Sequence, residues 1–178
     1  MRAPVTACWS NDLISLFLLE ETDVTTNYVD WLNNPEVNRY LETRFATHTL
    51  ESTRQFVRTC AENPNSLLLG IRSHSLGNRY IGNIKLEINW LHGLGEIGIM
   101  IGESDARGKG LAYQAISLLT AIARDELKLR KLTAGCYASN KASERSFIKV
   151  GFTKEGERPQ HFICEGRLEN LILLGIIL

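Results

Sequence analysis

The sequence predicts an α+β fold, a mixed and largely antiparallel sheet with helices packed on its faces. Three observations predict it. Between Leu67 and Gly102, three strand-like runs are separated by Gly77-Asn78 and by the turn His92 to Gly95, which reads as an antiparallel meander. The last run, Glu96 to Gly102, is followed by a long amphipathic helix and a further strand, Leu132 to Tyr137. Such a crossover is right-handed and makes its two strands parallel. The remaining order, a strand and two helices before the meander and a helix and two strands after the crossover, supplies helices to cover the sheet.

Leu13 to Leu19 is the opening strand, and Glu20 to Thr26 feeds a helix with Val24, Tyr28, Trp31 and Leu32 on one face. Asn34-Pro35 restarts it, because Asn34 can cap and Pro35 suits a first helical position, with Val37, Tyr40 and Leu41 as the next apolar stripe. Thr49 caps a second helix through Ala61, with Leu50, Val57, Cys60 and Ala61 turned inward. Strands follow at Leu67 to Arg72, Tyr80 to Trp90 and Glu96 to Gly102. The helix from Leu111 to about Leu127 carries Leu111, Ala115, Leu118, Leu119 and Ile122 on one side. A short helix from Lys141 to Val150 stops at Gly151, and the last strands lie around Phe152 to Glu157 and Leu168 to Ile177. No repeat, linker or low-complexity tract interrupts residues 1–178, so a single domain is expected.

With 20 Lys+Arg against 20 Asp+Glu, the formal charge is zero, which argues against a strongly basic nucleic-acid binder but leaves room for a local anion site. Cys8, Cys60, Cys136 and Cys164 have neither C-x-x-C nor zinc-site spacing, so they read as free thiols in or near the core, and no metal is expected. The apolar run Leu13 to Leu19 lacks signal-peptide features, and Leu171 to Leu178 is far shorter than the ~20 residues a membrane helix needs. A cytoplasmic protein without a membrane partner is expected.

The segment Arg107-Gly108-Lys109-Gly110-Leu111-Ala112 lies between a strand and the amino end of its helix. Its glycines allow a sharp turn and close approach to a ligand, and the free N–H groups and positive dipole of the helix end attract an anion. Arg107 and Lys109 add charge there. The spacing is neither that of a Walker loop nor that of a dinucleotide fingerprint.

Over essentially the whole chain the sequence resembles the GNAT superfamily of acyl-CoA-dependent N-acetyltransferases. Arg107, Gly110 and Ala112 match its Arg/Gln-x-x-Gly-x-Gly/Ala pyrophosphate loop. Asn140-Lys141-Ala142-Ser143, running on to Lys149-Val150-Gly151-Phe152, and the segment Trp31 to Val37 are similar to the branch containing ribosomal-protein alanine, spermidine and amino-sugar acetyltransferases.

The resemblance implies a single-domain GNAT fold whose sheet is splayed around the central parallel pair, with acetyl-CoA as co-substrate in the gap. The backbone of Ile99, Met100 and Ile101 would pair with the pantetheine amides as another strand would. The loop residues Arg107, Gly108, Lys109, Gly110, Leu111 and Ala112 would hold the pyrophosphate, and Asn140 and Ser143 would contact the cofactor from the far wall. Asn140 would equally serve as a plain helix cap.

Direct attack by an amine in a ternary complex is the family's usual route and needs no enzyme nucleophile. Relatives often carry a catalytic carboxylate where Glu96 stands, and partial burial would suit it to proton removal. The usual acid, a tyrosine, is replaced by Phe147, which leaves Ser146, Ser143, Tyr137, a water or no acid at all. Glu103 and Asp105 would only shape the turn. Tyr40, Arg44, Phe45 and His48, with His161 and Phe162 in the loop joining the last strands, are expected at the acceptor cleft.

A small-molecule amine, first a nucleotide-linked amino sugar, is the expected acceptor, with a protein N-terminus or a polyamine as the alternative. The lack of an evident acidic cluster disfavours a polyamine. A module that binds acyl-CoA without turnover is the reading from another class. The apolar final strand leaves a homodimer open.

Overall fold

A computed structural model describes residues 8–178. Its strands are β1 (Cys8–Ser10), β2 (Ile14–Leu18), β3 (Ser66–Ser73), β4 (Arg79–Asn89), β5 (Leu94–Ile101), β6 (Lys131–Tyr137), β7 (Thr153–Cys164) and β8 (Arg167–Ile177). The helices are α1 (Thr26–Asn33), α2 (Pro35–Asn38), α3 (Leu50–Glu62), α4 (Leu111–Asp125) and α5 (Lys141–Val150). Among the described residues the strands form one sheet in the order β1-β2-β3-β4-β5-β6-β8-β7.

The meander β3-β4-β5 is antiparallel as expected, and β5 pairs with β6 in parallel. That parallel ladder covers only Leu94↔Lys131, Gly95↔Leu132 and Glu96↔Thr133. Beyond it β5 keeps its bonds to β4, and β6 keeps its bonds to β8. The two strands therefore part, and the sheet opens a wedge between Ile97–Ile101 and Ala134–Tyr137.

Period-two alternation sends successive side chains to opposite faces, and each face has its own core. One core packs Ile14, Leu16, Leu69, Ile84, Ile97 and Leu132 under α4 and α5 through Leu111, Ala115, Leu119 and Phe147. The other packs Phe17, Leu68 and Met100 under α1 and α3 through Tyr28, Trp31, Val57 and Cys60. Each fully buried Leu, Ile or Phe contributes about 1.5–3 kcal/mol.

Local signals fix the helix ends. Asn34 accepts from the Glu36 amide, and Thr49 and Ser52 exchange bonds as a reciprocal cap. At the end of α5, Gly151 takes φ 115° and the Phe152 amide reaches the Phe147 carbonyl, with the two rings 5.0 Å apart. This is a glycine-terminated Schellman stop with its hydrophobic contact.

Four expectations are corrected. The edge strand β1 precedes the opening strand, where three residues carry too little pattern to read. The inward stripe of α3 uses Thr53 with Val57 and Cys60, while Ala61 faces out. Cys8 is exposed; the other three cysteines are buried, and all four are free. Strand β7 runs on to Cys164, so His161 and Phe162 lie in a strand and not in a loop. Glu165 and Gly166 alone make the turn, both with positive φ (50° and 75°), as a tight two-residue hairpin requires. Bulges at Lys154/Gly156 and Arg158/Phe162, the second containing Pro159, break the alternation that would have shown the strand.

Candidate active site

The wedge between β5 and β6 forms a cavity of about 570 Å3, closed by α2, the amino end of α4 and the first turns of α5. Ile97 to Ile101 line one wall, and Gly135, Cys136, Tyr137, Asn140 and Ser143 line the other. A more open depression of about 710 Å3 at the β1 edge, lined by Cys8, Ser15, Arg72 and His74, gathers none of the expected catalytic, cofactor or acceptor residues.

At the floor, Gly108 and Gly110 adopt φ 71° and 74°, the left-handed region in which glycine carries no steric penalty. Gly110 is the N-cap of α4 and supplies no side-chain cap. The first amides of a 15-residue helix thus face the cavity without side-chain partners, a ready anion site. Arg107 holds the loop in place, donating from Nε to the Ile101 carbonyl (3.3 Å), from Nη2 to Gly102 (3.3 Å) and from Nη1 to Glu36 (3.4 Å). Its guanidinium is engaged with the protein's own carbonyls as well as lying beside the cavity. Lys109 is exposed and outside the lining. Glu103 accepts from Asn27 (2.6 Å), and Arg79 pairs with Asp105, holding that carboxyl below its ordinary range, so both acids brace the turn.

Asn140 caps α5 by accepting from the Ser143 amide (3.2 Å) and also lines the cavity. The hydroxyl of Ser146 donates to the Ala142 carbonyl (2.8 Å). Glu96 is exposed and lies outside the cavity lining. The reason is register: Glu96 still pairs with Thr133, and the wedge opens only after it. The partial burial expected of this carboxylate is therefore not found.

Tyr137 is buried at 3% exposure and points its hydroxyl at Glu42 Oε1, to which it donates. Its ring stacks on Phe162 (4.2 Å, 15°) and tilts against Tyr40 (5.5 Å). Burial first, and the hydrogen bond to Glu42 next, push the Tyr137 hydroxyl up to about 12. Burial likewise pushes the Cys136 thiol up to about 11. A thiol held protonated is a poor nucleophile.

Of the expected acceptor residues, Tyr40 lines the cavity. Arg44 stands behind it, donating to the carbonyls of Leu41 (2.8 Å) and Ile163 (2.7 Å), with its guanidinium over the Tyr137 ring (5.2 Å). Phe45, 73% exposed under the Arg44 guanidinium, and His161, exposed against Phe162, stay outside the lining. His48 is held by Asn33 and by the Thr43 carbonyl.

Two carboxylates escaped the sequence reading. Glu36 lines the cavity, and Glu42 meets Tyr137 across 95 residues of chain. Only the Asn-Pro-Glu-Val helix start marked Glu36, and nothing local marked Glu42.

The cavity fits acetyl-CoA on this structure's own terms, because it offers an unpaired strand edge in β5 beside a helix end with free amides. The acetyltransferase (GNAT) domain family matches residues 14–153. An N-acetyltransferase 9-like protein from Caenorhabditis briggsae is 27% identical over 137 residues, covering 71% of this chain and 68% of that protein. The crystal structure of spermidine N-acetyltransferase from Vibrio cholerae, in complex with CoA and spermine, superposes with a TM-score of 0.83 at 21% identity, covering 94% of this chain and 96% of that one. Ribosomal-protein-S5-alanine acetyltransferase from Vibrio fischeri superposes with a TM-score of 0.80 at 18% identity, covering 97% of each chain. The chain belongs to the GNAT acetyltransferase family, and the activity that goes with this membership is acetyl-CoA-dependent N-acetyl transfer.

Proposed function

We propose that this enzyme passes the acetyl group directly to a small primary amine within a ternary complex in the cytoplasm. The observation that carries the reading is the wedge itself, an unpaired strand edge running toward an uncapped helix end. Among the described residues no helix is long and apolar enough to cross a membrane.

Acetyl-CoA supplies an activated thioester. The backbone of Ile99, Met100 and Ile101 would hold the pantetheine arm, and the loop from Arg107 to Ala112 the pyrophosphate, with Arg107 mainly fixing the loop's shape. Asn140 and Ser143 would close the far wall. A backbone N–H near Met100 would steady charge developing on the acetyl oxygen. The protonated state of Cys136 supports a route without an acetyl-enzyme, since the thiol nearest the wedge is not activated. Of the catalytic candidates we retain Tyr137, because its hydroxyl is bonded to a carboxylate, whereas the Ser146 hydroxyl, also in the lining, is bonded to a carbonyl of its own helix and Glu96 lies outside the cavity.

The acceptor would enter beside Glu36 and Tyr40. The aromatic faces of Tyr40, Tyr137 and Phe162 suit the sugar or base of a nucleotide-linked amino sugar, our first candidate. Glu36 and Glu42 favour a second reading, a polyamine, and the similar fold of an enzyme crystallised with spermine agrees with it.

Thiol release from acetyl-CoA, measured against nucleotide-linked amino sugars, polyamines and peptides, tests the proposal. Turnover is expected with at least one small amine. A rise in melting temperature with acetyl-CoA, but no thiol release with any acceptor, would instead indicate a binding module. Turnover confined to peptides would assign a protein N-terminus.

A further inference from the structure

We propose that Glu42 is the proton acceptor of the transfer, acting through the Tyr137 hydroxyl; this rests on the acetyl-transfer reading above. Phe147 in the cavity lining is buried against Phe152 and has no proton to exchange. Ser146 is bonded within its own helix, and Glu96 lies in the paired part of the sheet. Tyr137 is the hydroxyl of the cavity wall that is bonded to a carboxylate.

The pair is held from both ends. Phe162 and Tyr40 clamp the Tyr137 ring, so its hydroxyl has one direction open to it. Arg44 stands 3.4 Å from Glu42 Oε1 and is itself fixed to the Leu41 and Ile163 carbonyls, which ties the turn carrying Glu42 to β7. Around the pair stand Tyr40, the neighbouring Cys136 and, beside Phe162, His161 and Glu169. Burial keeps the Tyr137 hydroxyl neutral across the working pH range, as a relay requires, because it must give one proton as it takes another. Glu42 is exposed on its outer side and can return its proton to water.

The amine nitrogen bonds to the acetyl carbon, and the carbon–sulfur bond breaks with its electron pair going to sulfur. The proton leaving nitrogen passes to Tyr137 Oη as the hydroxyl's own proton passes to Glu42 Oε1. Amide, thiolate and protonated Glu42 result. Glu42 acts through Tyr137 and is a positioning and relay residue, while Tyr137 is the group that meets the substrate.

The test compares kcat against pH, with an amine the wild type turns over, for wild type, Glu42→Gln, Tyr137→Phe, the double variant and Glu96→Gln. Glutamine keeps the shape and the hydrogen bond but cannot take the proton. Each of the first two variants is expected to lose about 100-fold in kcat, the scale of general-base catalysis. The double variant should lose no more than either alone, because the two residues act as one unit. The acid limb of the kcat profile should disappear in Glu42→Gln, while KM for acetyl-CoA stays unchanged, which a merely structural defect would not give.

Wild-type kcat in Glu42→Gln, or losses that multiply in the double variant, would overturn the relay and leave the acetyl-transfer reading intact. So would loss of the acid limb in Glu96→Gln with its retention in Glu42→Gln. A wild type that binds acetyl-CoA but releases thiol to no amine overturns the reading, and the relay with it.

Discussion

Cys136 and Tyr137 sit side by side at the end of β6, both neutral and both shielded from water, which makes this corner sensitive to alkali. The Cys136 thiol moves from 9.0 up to about 11 and the Tyr137 hydroxyl from 10.0 up to about 12, in each case mainly through burial. Tyr28 and Tyr80, deep under α1, are raised as well. In each group the folded chain keeps a proton that the unfolded chain would release. Stability from these groups is therefore complete below about pH 9 and falls as pH rises toward 12, where the folded state binds more protons than the unfolded one. Melting temperature followed from pH 7 upward should be flat and then decline, and Cys136→Ala should move the onset toward the tyrosine range. A flat profile in the wild type would contradict the burial argument.

At the scale of elements, the packing of α1 on the end of β5 depends on a missing side chain. A Cβ at Gly102 would lie 2.0 Å from Trp31 Cδ2, so Gly102→Ala must push α1 off the sheet. Overpacking of this kind costs about 1–3 kcal/mol. A Cβ at Gly98 would meet nothing within 4 Å, so Gly98→Ala should melt like the wild type. Thermal melts of the two variants check the contrast, and equal melting temperatures would refute it. The helices and the meander were legible because their signals are local: caps at Asn34, Thr49 and Asn140, a stop at Gly151, and apolar stripes at regular spacing. The carboxyl-terminal half of β7 was not, because bulges around Pro159 erase its alternation. The loop from Arg107 to Ala112 was marked by its glycines and its place before a helix, but only the family resemblance gave it a ligand. Glu42 could not be placed, since its partner lies on a strand that only the crossover brings near. The burial of Glu96 was not legible for a related reason, because the residue at which a parallel ladder ends is a property of two strands.

For the molecule as a whole, the parting of β5 from β6 is the organising event. It leaves one edge of β5, from Ile97 to Ile101, unpaired in the middle of the sheet while the other edge stays bonded to β4, and that stretch leads toward the amino end of α4. The overall charge of zero is no obstacle to the proposed cofactor site, because helix-end amides without side-chain caps and a loop shaped by Arg107 would attract an anion locally. Hydrogen exchange along the backbone, with and without acetyl-CoA, tests this most directly. Protection should rise in Ile97 to Ile101 and in Arg107 to Ala112, with the outer strands β1 and β2 unchanged. Protection concentrated at the β1 edge near His74, or none in β5, would contradict the account.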